Sequence, residues 1–395
     1  MITAILRSFL YVVTLHLGVA NAKKFGGSNE QKPFYSLAEE YYNYDDDDAY
    51  IPKVQTLYSG ITTFGHLPSP NCLASRGIDY DIAFVGAPFD MGTSYRPGAR
   101  FGPSGIREGS RRLGPALYNV PLDVYPFQSW AKVVDCGDVP MTNYHIPNAM
   151  DELEEGYYHL LARKPTSFTD HEGYAGNGTV LPRLLTMGGD HTIVLPILRA
   201  LSRVYDRPIS VIHFDSHLDT WKPGVLGDGI DNDGLNHGTY FYWASKEGVL
   251  SKDANIHAGI RSPLSGLKDY EDDASCGFQV IEAREIDKIG VEGIVKKIRD
   301  RVQDNLVYLS IDIDTLDPAY APATGTPEIA GWSSREFTEI IRGLDGLNFV
   351  GADIVEVSPS YDVADLTTMT AANIFYDIVG LFVKTPLVQS AENLY

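Results

Sequence analysis

Short apolar runs alternate with helix-like stretches along most of this chain, and this alternation is its strongest constraint on the fold. The runs predict strands at 82–87, 132–135, 181–187, 209–214, 256–260, 306–311 and 349–357. Helices are predicted between them at 105–113, 150–161, 192–205, 290–303, 334–344 and 368–383. Repeated alternation of this kind is typical of a mainly parallel sheet with helices on both faces. The sequence therefore predicts an α/β fold.

Two of the apolar runs turn acidic where the strand should end. The segment SVIHFDSHLDT carries Asp215, His217 and Asp219, and the segment LSIDIDTLDP carries Asp312 and Asp314. Residues spaced i, i+2 in an extended segment share a face, and ligand sites in parallel sheets lie beyond the carboxyl ends of the strands. Carboxylates gathered at one edge would repel each other unless cations lay among them. The pattern therefore predicts a dinuclear metal centre of the hydrolytic type, and the competing interpretation is a pair of polar turns.

A further histidine is expected at the same edge. His191 follows two glycines in the segment GGDHT, at a predicted strand-to-helix corner where glycine permits a tight turn. We expect His191 to be a metal ligand, although taken alone it would be read as a helix-start or packing residue. Its neighbour Asp190 would either orient a ligand or, as the commoner role, cap the following helix.

Two other polar residues are candidates for catalysis. His237 lies in NHGTYFYWA, after a stretch rich in Gly and Asp, where a neutral imidazole could transfer protons or simply be a surface residue. Glu356 ends the run FVGADIVEV and is expected on the same rim as the metal ligands. Its carboxylate could pair with a planar cation through two parallel hydrogen bonds, or form an inter-strand salt bridge.

These motifs resemble the ureohydrolase family of arginases and agmatinases, most closely its agmatinase branch. Over roughly residues 60–390, GAPFDMGTSYRPGARFGPSGIR, GGDHT, HFDSHLDT, NHGTYFYWA, SIDIDTLDPAYAPATGTPE and IVEVSPSYD follow in the family's order. The resemblance implies a three-layer, arginase-like α/β fold with two Mn²⁺ per subunit. It implies that one ion is held by His191, Asp215, Asp219 and Asp312, and the other by Asp215, His217, Asp312 and Asp314. It also implies that His237 is the proton-transfer histidine and Glu356 the guanidinium-binding carboxylate.

The activity implied by the resemblance is Mn²⁺-dependent hydrolysis of agmatine to putrescine and urea. Alternatives are another guanidino substrate, such as guanidinobutyrate, or a metal-binding protein without turnover. A carboxylate-bearing substrate would need a basic partner in the 220–237 loop, where Lys222 is the only candidate. Ala323 and Ala330 stand where the family usually has glycine, which leaves the precise substrate open. The family's hexamers imply that the chain forms a homo-oligomer.

The formal charge of −20 argues against nucleic acid as a partner and favours a small cationic guanidino substrate, although high charge also serves solubility. Residues 1–22 predict a secretory signal peptide cleaved after Ala22, with a mitochondrial presequence as the alternative. Its apolar core is too short for a comfortable membrane span, so no stable span is expected in the mature chain. A polar acidic extension at 23–60 and a catalytic domain at 61–390 complete the predicted organisation.

Two features bear on an oxidising compartment. The only N-x-S/T sequon, at Asn177, is a possible glycan site if the chain is secreted. The three cysteines, Cys72, Cys136 and Cys276, allow at most one disulfide and are more readily interpreted as core residues.

Overall fold

The computed structural model describes residues 58–75, 77–224 and 234–389. The predicted signal peptide at 1–22 lies outside the described residues, as does the predicted extension except for its last three residues. The proposed domain boundaries therefore stay predictions.

Within these ranges the strands form one parallel sheet in the order β2-β1-β3-β8-β7-β4-β5-β6. The strands are β1 (Ile82–Gly86), β2 (Val133–Asp138), β3 (Arg183–Met187), β4 (Ser210–Phe214), β5 (Asn255–Ile260), β6 (Phe278–Glu282), β7 (Leu306–Asp312) and β8 (Asn348–Val355). The seven predicted strands are all present. Strand β6 was missed because it lies at the edge of the sheet, where Gln279 is exposed and interrupts the apolar run.

The helices of the described residues cover both faces of the sheet. They are α1 (Gly102–Gly109), α2 (Ile146–Leu161), α3 (Val194–Tyr205), α4 (Tyr240–Glu247), α5 (Leu267–Ser275), α6 (Ile286–Val302), α7 (Ser334–Arg342) and α8 (Leu366–Lys384). Helix α4 was missed because its aromatic residues have modest helix propensity, and helix α5 because it is strongly charged.

Each face of the sheet has its own apolar core. One core joins the sheet to α1, α6, α7 and α8 through residues such as Ile106, Ile298 and Phe375. The other joins it to α2, α3 and α4 through residues such as Leu153 and Leu198. The predicted three-layer α/β fold is therefore confirmed.

Helix α8 combines length with strong apolar character. Its mean hydropathy of 1.4 and its 19 residues would suffice to cross a membrane, but 78% of its apolar stretch is buried inside the protein. It packs against α1 and α7, and Phe375 contacts the ring of Phe84 on β1. Helix α8 is therefore a core helix.

The cysteines correct part of the sequence interpretation. Cys72 and Cys136 form a disulfide with a Cα–Cα distance of 5.2 Å, whereas Cys276 is free and buried. The bridge links the segment before β1 to strand β2, which lie side by side because the Asp135 N–H donates to the Pro68 carbonyl. The interpretation of all three cysteines as plain core residues was wrong for this pair, since a separation of 64 residues gives no sequence signal of proximity.

Candidate active site

The candidate residues project from four strands that are neighbours in the sheet, β3, β8, β7 and β4. His191 follows β3, Glu356 follows β8, Asp312 ends β7 and Asp215 follows β4. Because all four strands are parallel, their carboxyl ends meet at one edge. The structure thus brings together the side chains that the sequence analysis had placed at strand ends far apart in the chain.

A first group of ligand-type atoms surrounds the His191 imidazole. Its Nδ1 lies 3.1 Å from Asp215 Oδ2, 3.2 Å from Asp219 Oδ2 and 3.5 Å from Asp312 Oδ2. His213, which the sequence analysis overlooked, belongs to the same group, and its Nε2 lies 3.0 Å from Asp215 Oδ2. All of these side chains are buried.

A second group surrounds His217. Its Nδ1 lies 3.2 Å from Asp215 Oδ1 and 3.1 Å from Asp314 Oδ2. The two oxygens of Asp215 therefore face different groups, Oδ2 toward His191 and Oδ1 toward His217. Asp215 is the residue that joins the groups, whereas Asp312 contacts the first group and also accepts a hydrogen bond from the Asp314 N–H at 2.7 Å.

Several buried atoms of the two groups lack a hydrogen-bond partner, among them His191 Nδ1, Asp215 Oδ2 and Asp314 Oδ2. Burial and then repulsion from Asp314 and Asp215 raise the pKa of Asp312 well above its usual range. Burial and the Asp215 charge likewise raise the pKa of Asp219 to about 6. These pKa values are raised because the carboxylates are buried and crowded together, so that they repel one another when no cation lies among them. Carboxylate oxygens together with an imidazole nitrogen that lacks a partner form a donor set that fits divalent cations.

Two residues that the sequence analysis did not identify orient the His191 ring through Nε2, the nitrogen that points away from the first group. Its Nε2 lies 2.8 Å from Ser310 Oγ, and the Ser310 hydroxyl donates to Asp353 Oδ1 at 3.0 Å. Since the hydroxyl hydrogen is used on Asp353, Ser310 accepts from Nε2–H and the lone pair of Nδ1 is turned toward the first group. Asp190 caps the turn that begins at His191, because its Oδ1 accepts from the Thr192 N–H at 2.9 Å.

His237 and Glu356 form a buried pair beside these groups. His237 Nδ1 lies 3.0 Å from Glu356 Oε1, and its Nε2 accepts from the Ser94 N–H at 3.0 Å. Ser94 Oγ is also 2.8 Å from Nε2, so both protonation states of the ring have a partner. Burial lowers the pKa of His237, but the charge and hydrogen bond of Glu356, together with the charges of Asp219 and Asp190, outweigh burial and raise that pKa to about 8.

Glu356 has one anchored and one open oxygen. Oε1 accepts from the His191 N–H at 2.9 Å as well as meeting His237, whereas buried Oε2 has no hydrogen-bond partner. A Cβ on Gly325 would lie 3.4 Å from Oε2, so the absence of a side chain there keeps a narrow space beside the open oxygen. The described residues supply no Lys or Arg partner, which disfavours the salt-bridge interpretation.

Arg261 anchors the loop that borders the site. Arg261 donates to the carbonyl oxygens of Asp314 at 2.6 Å and Glu328 at 2.8 Å, and its Nε donates to that of Ile329 at 3.0 Å. The Glu328 side chain reaches the rim, with Oε1 3.7 Å from His217 Nε2. Ala330 adopts φ +65°, the left-handed conformation that favours glycine.

Comparison with known proteins identifies the family of this chain. The family model described as the arginase family matches residues 80–380. "Putative agmatinase 3" of Schizosaccharomyces pombe is 64% identical over 365 residues, covering 92% of this chain and 88% of that protein. "Guanidino acid hydrolase, mitochondrial" of Homo sapiens is 39% identical over 308 residues, covering 78% of this chain and 80% of that protein.

A solved structure leads to the same fold. The crystal structure of a hypothetical agmatinase from Burkholderia thailandensis has a TM-score of 0.69 and 35% identity, covering 83% of this chain and 92% of that chain. The chain belongs to the arginase family. It is a ureohydrolase, an enzyme that acts on guanidino C–N bonds.

Proposed function

We propose that this ureohydrolase hydrolyses agmatine to putrescine and urea with two Mn²⁺ per subunit. The observation that carries the proposal is the position of Asp215, which joins the His191 and His217 groups through its two oxygens. The open Oε2 of Glu356 on the same edge adds a recognition group for a guanidinium.

The residues that would hold the metal ions come from the two groups, with Asp312 serving both ions and His213 outside the ligand sets. One ion would be bound by His191, Asp215, Asp219 and Asp312, and the other by Asp215, His217, Asp312 and Asp314. Carboxylate oxygens with a minority of imidazole nitrogens suit Mn²⁺ among the first-row cations. When bound, such a pair of cations lowers the pKa of water and so supplies a nucleophile at neutral pH.

In this proposal Glu356 binds the substrate and His237 transfers a proton. The substrate guanidinium donates to Glu356 Oε2, and this charge-assisted hydrogen bond orients the carbon for attack. His237, held by Glu356 at Nδ1 and by Ser94 at Nε2, carries a proton to the departing amine. Because Oε1 is already engaged, pairing through both oxygens of Glu356 requires His237 to shift.

Agmatine is favoured by charges at the rim. The carboxylate of Glu328 lies at the rim, 3.7 Å from His217 Nε2, and would attract a cationic tail. Lys222, the one basic residue expected to attract a carboxylate tail, is instead paired with Asp272 at 2.8 Å. The 64% identical relative that carries the name agmatinase supports the same choice.

A guanidino acid is the second candidate substrate. The human relative is named for such substrates. Arg96 places its guanidinium carbon 5.1 Å from the ring centroid of Tyr95 and 5.5 Å from that of Tyr361, and it forms no ion pair with a carboxylate among the described residues. Its carbonyl oxygen borders Gly325, next to the open oxygen of Glu356.

The test is a comparison of urea release from agmatine, 4-guanidinobutyrate and L-arginine by the Mn²⁺-loaded protein. The proposal requires agmatine to have the highest kcat/KM, and Glu328→Gln to raise the KM for agmatine. A preference for 4-guanidinobutyrate that Arg96→Leu abolishes would replace agmatine with the second candidate. Asp215→Ala serves as the inactive control, and no urea from any compound would contradict the proposal.

For the compartment, we propose the secretory pathway. The Cys72–Cys136 disulfide is of a kind that persists in oxidising environments. Asn177 is exposed, and its Oδ1 accepts from the Thr179 hydroxyl at 2.8 Å, so the sequon lies on an open turn. The alternative is a mitochondrial location, which the name of the human relative supports.

Homo-oligomer formation stays a prediction, which light scattering would test.

A further inference from the structure

A line of buried polar contacts leads from Asp215 away from the metal-binding groups. Asp215 Oδ2 lies 3.0 Å from His213 Nε2, His213 Nδ1 lies 2.7 Å from His257 Nδ1, and His257 Nε2 lies 2.9 Å from Asp273 Oδ1. Each of these side chains is at most 1% exposed. Thr220 closes the far end, because its hydroxyl donates to Asp273 Oδ1 at 2.7 Å.

The line is built into the sheet. His213 on β4 and His257 on β5 are direct partners in the parallel register, so their side chains emerge on the same face. Aromatic rings hold both imidazoles: Phe278 stacks on His257 at 3.8 Å between centroids, and Phe241 meets His213 edge-on at 4.9 Å. Asp273 comes from α5 and is the only buried residue of that helix.

Burying two imidazoles and a carboxylate among apolar strands is costly unless their polar atoms are satisfied. Apolar residues at the same positions would extend the core at lower cost. The catalytic roles proposed above use Asp215 but neither His257 nor Asp273, so the line has a role that they do not explain.

We propose that His257 and Asp273 are positioning residues that fix the carboxylate of Asp215 through His213. The proposal rests on the proposed function in one respect, the assignment of Asp215 as the carboxylate shared by both ions. An imidazole whose far nitrogen is held cannot turn, so its near nitrogen keeps a fixed place, here 3.0 Å from Asp215 Oδ2, and limits where that carboxylate can lie. The Tyr240 hydroxyl lies 3.1 Å from His213 Nε2, the same nitrogen that faces Asp215, and also restrains the ring.

The experiment titrates the metal-free protein with Mn²⁺ by calorimetry and records its thermal midpoint on the same samples. His257→Phe keeps a ring to stack on Phe278 but removes both nitrogens. We expect it to weaken Mn²⁺ binding at one or both sites by about 10- to 100-fold, as loss of such outer contacts does. His257→Gln, which can still donate and accept, should recover part of the affinity and replaces the Phe variant if that fails to fold.

The matched control is Asp377→Asn. Asp377 is also buried, but it contacts Asn119 and Arg342 on the α7–α8 side of the molecule. The Asp377→Asn substitution should lower the thermal midpoint and leave Mn²⁺ affinity unchanged. Combining His257→Phe with Asp273→Asn should cost no more affinity than His257→Phe alone, because the two residues act in one line.

Two outcomes would overturn the proposal. One is Mn²⁺ affinity within twofold of the parent in the folded His257 variants. The other is a loss of affinity that Asp377→Asn reproduces, since this would mark a general effect of stability. Failure of the parent to hydrolyse agmatine would contradict the proposed substrate instead, because the metal titration is read without any substrate.

Discussion

His237 Nδ1 lies 3.0 Å from Glu356 Oε1, and a separation of 119 residues in the chain lies between the two partners. The pair exists because Glu356 adopts φ +61° just after β8, and its N–H donates to the Gly189 carbonyl at 2.8 Å. This backbone turn points the carboxylate inward, where one oxygen is anchored and the other is open. The geometry separates guanidinium recognition from metal binding in a way that substitutions can test.

Glu356→Gln should reduce kcat/KM for agmatine by roughly tenfold to over a hundredfold, because a charge-assisted hydrogen bond contributes about 1.5–3 kcal/mol. Metal content should persist, since Gln can still accept from the His191 N–H. Steady-state kinetics and metal analysis on one sample would check this. Glu247→Gln, which alters only a surface pair with Arg199, is the matched control. Near-parental kcat/KM in the metallated Glu356 variant would remove Glu356 from the recognition role.

Asp215→Ala should abolish binding of both ions, whereas His217→Ala should leave the ion at the His191 group. The reason is that Asp215 contacts both groups and His217 contacts one. Metal stoichiometry after dialysis would show about two ions in the parent, one in His217→Ala and none in Asp215→Ala. Equal stoichiometry in the two variants would contradict the shared role of Asp215.

Metal removal should destabilise the protein more at pH 8 than at pH 6. Burial, followed by the Glu356 charge, raises the pKa of Asp190 to about 7, and burial and Asp215 raise that of Asp219 to about 6. A carboxyl whose folded pKa exceeds its unfolded value stabilises the fold at low pH and loses that contribution as pH rises through the folded pKa. Asp215, whose pKa is lowered, acts oppositely but only below about pH 4.

The measurement is the thermal midpoint of metal-free and Mn²⁺-loaded protein across pH 5 to 8. Bound cations compensate the ionised carboxylates and need them deprotonated, so the gain from Mn²⁺ should grow with pH. A gain that is constant or shrinks over this range would show that these carboxyls are not coupled to the metal ions.

Cys72→Ser should lower stability by about 2–4 kcal/mol, as expected for the loss of a disulfide that closes a long loop. Its bonded partner is 64 residues away. Urea denaturation would measure the difference, and Cys276→Ala, which removes the free buried thiol, is the control. Equal stability of oxidised and reduced parent protein would mean that the bridge has no role in holding the segment before β1.

The secretory proposal predicts that native protein begins at Lys23 and carries a glycan on Asn177. Amino-terminal sequencing and a mobility shift after deglycosylation would test both points. Asn177→Gln should abolish the shift, and Thr179→Ala should do the same, because both are needed for the sequon. Unglycosylated protein recovered from mitochondria with a different processed terminus would establish the alternative.

The sequence predicts the central strands well because strands buried on both faces must be apolar throughout. It also predicts the shared edge of the candidate site residues, since parallel strands place all their carboxyl ends together. The same apolar context gives no signal for His213, because this residue lies within the run that ends at Phe214 and that predicts a plain strand. The sequence does not predict the roles of Ser94, Ser310 and Asp353. Their contacts join segments that are far apart in the chain, and local residue spacing carries no information about such contacts.

The hydrogen bonds from Arg261 to the rim loop limit which substitutions this enzyme can accept there. A side chain on Gly331 would approach Arg261 Nη2 to 2.7 Å and the Asp317 nitrogen to 2.5 Å, so the path of the loop is closed to alteration there. Ile329, two positions before, is 81% exposed, and the Glu328 side chain reaches the rim, where its carboxylate lies 3.7 Å from His217 Nε2. A related enzyme that evolves to use a new guanidino substrate would therefore do so by replacing side chains of this loop while its backbone path stays unchanged.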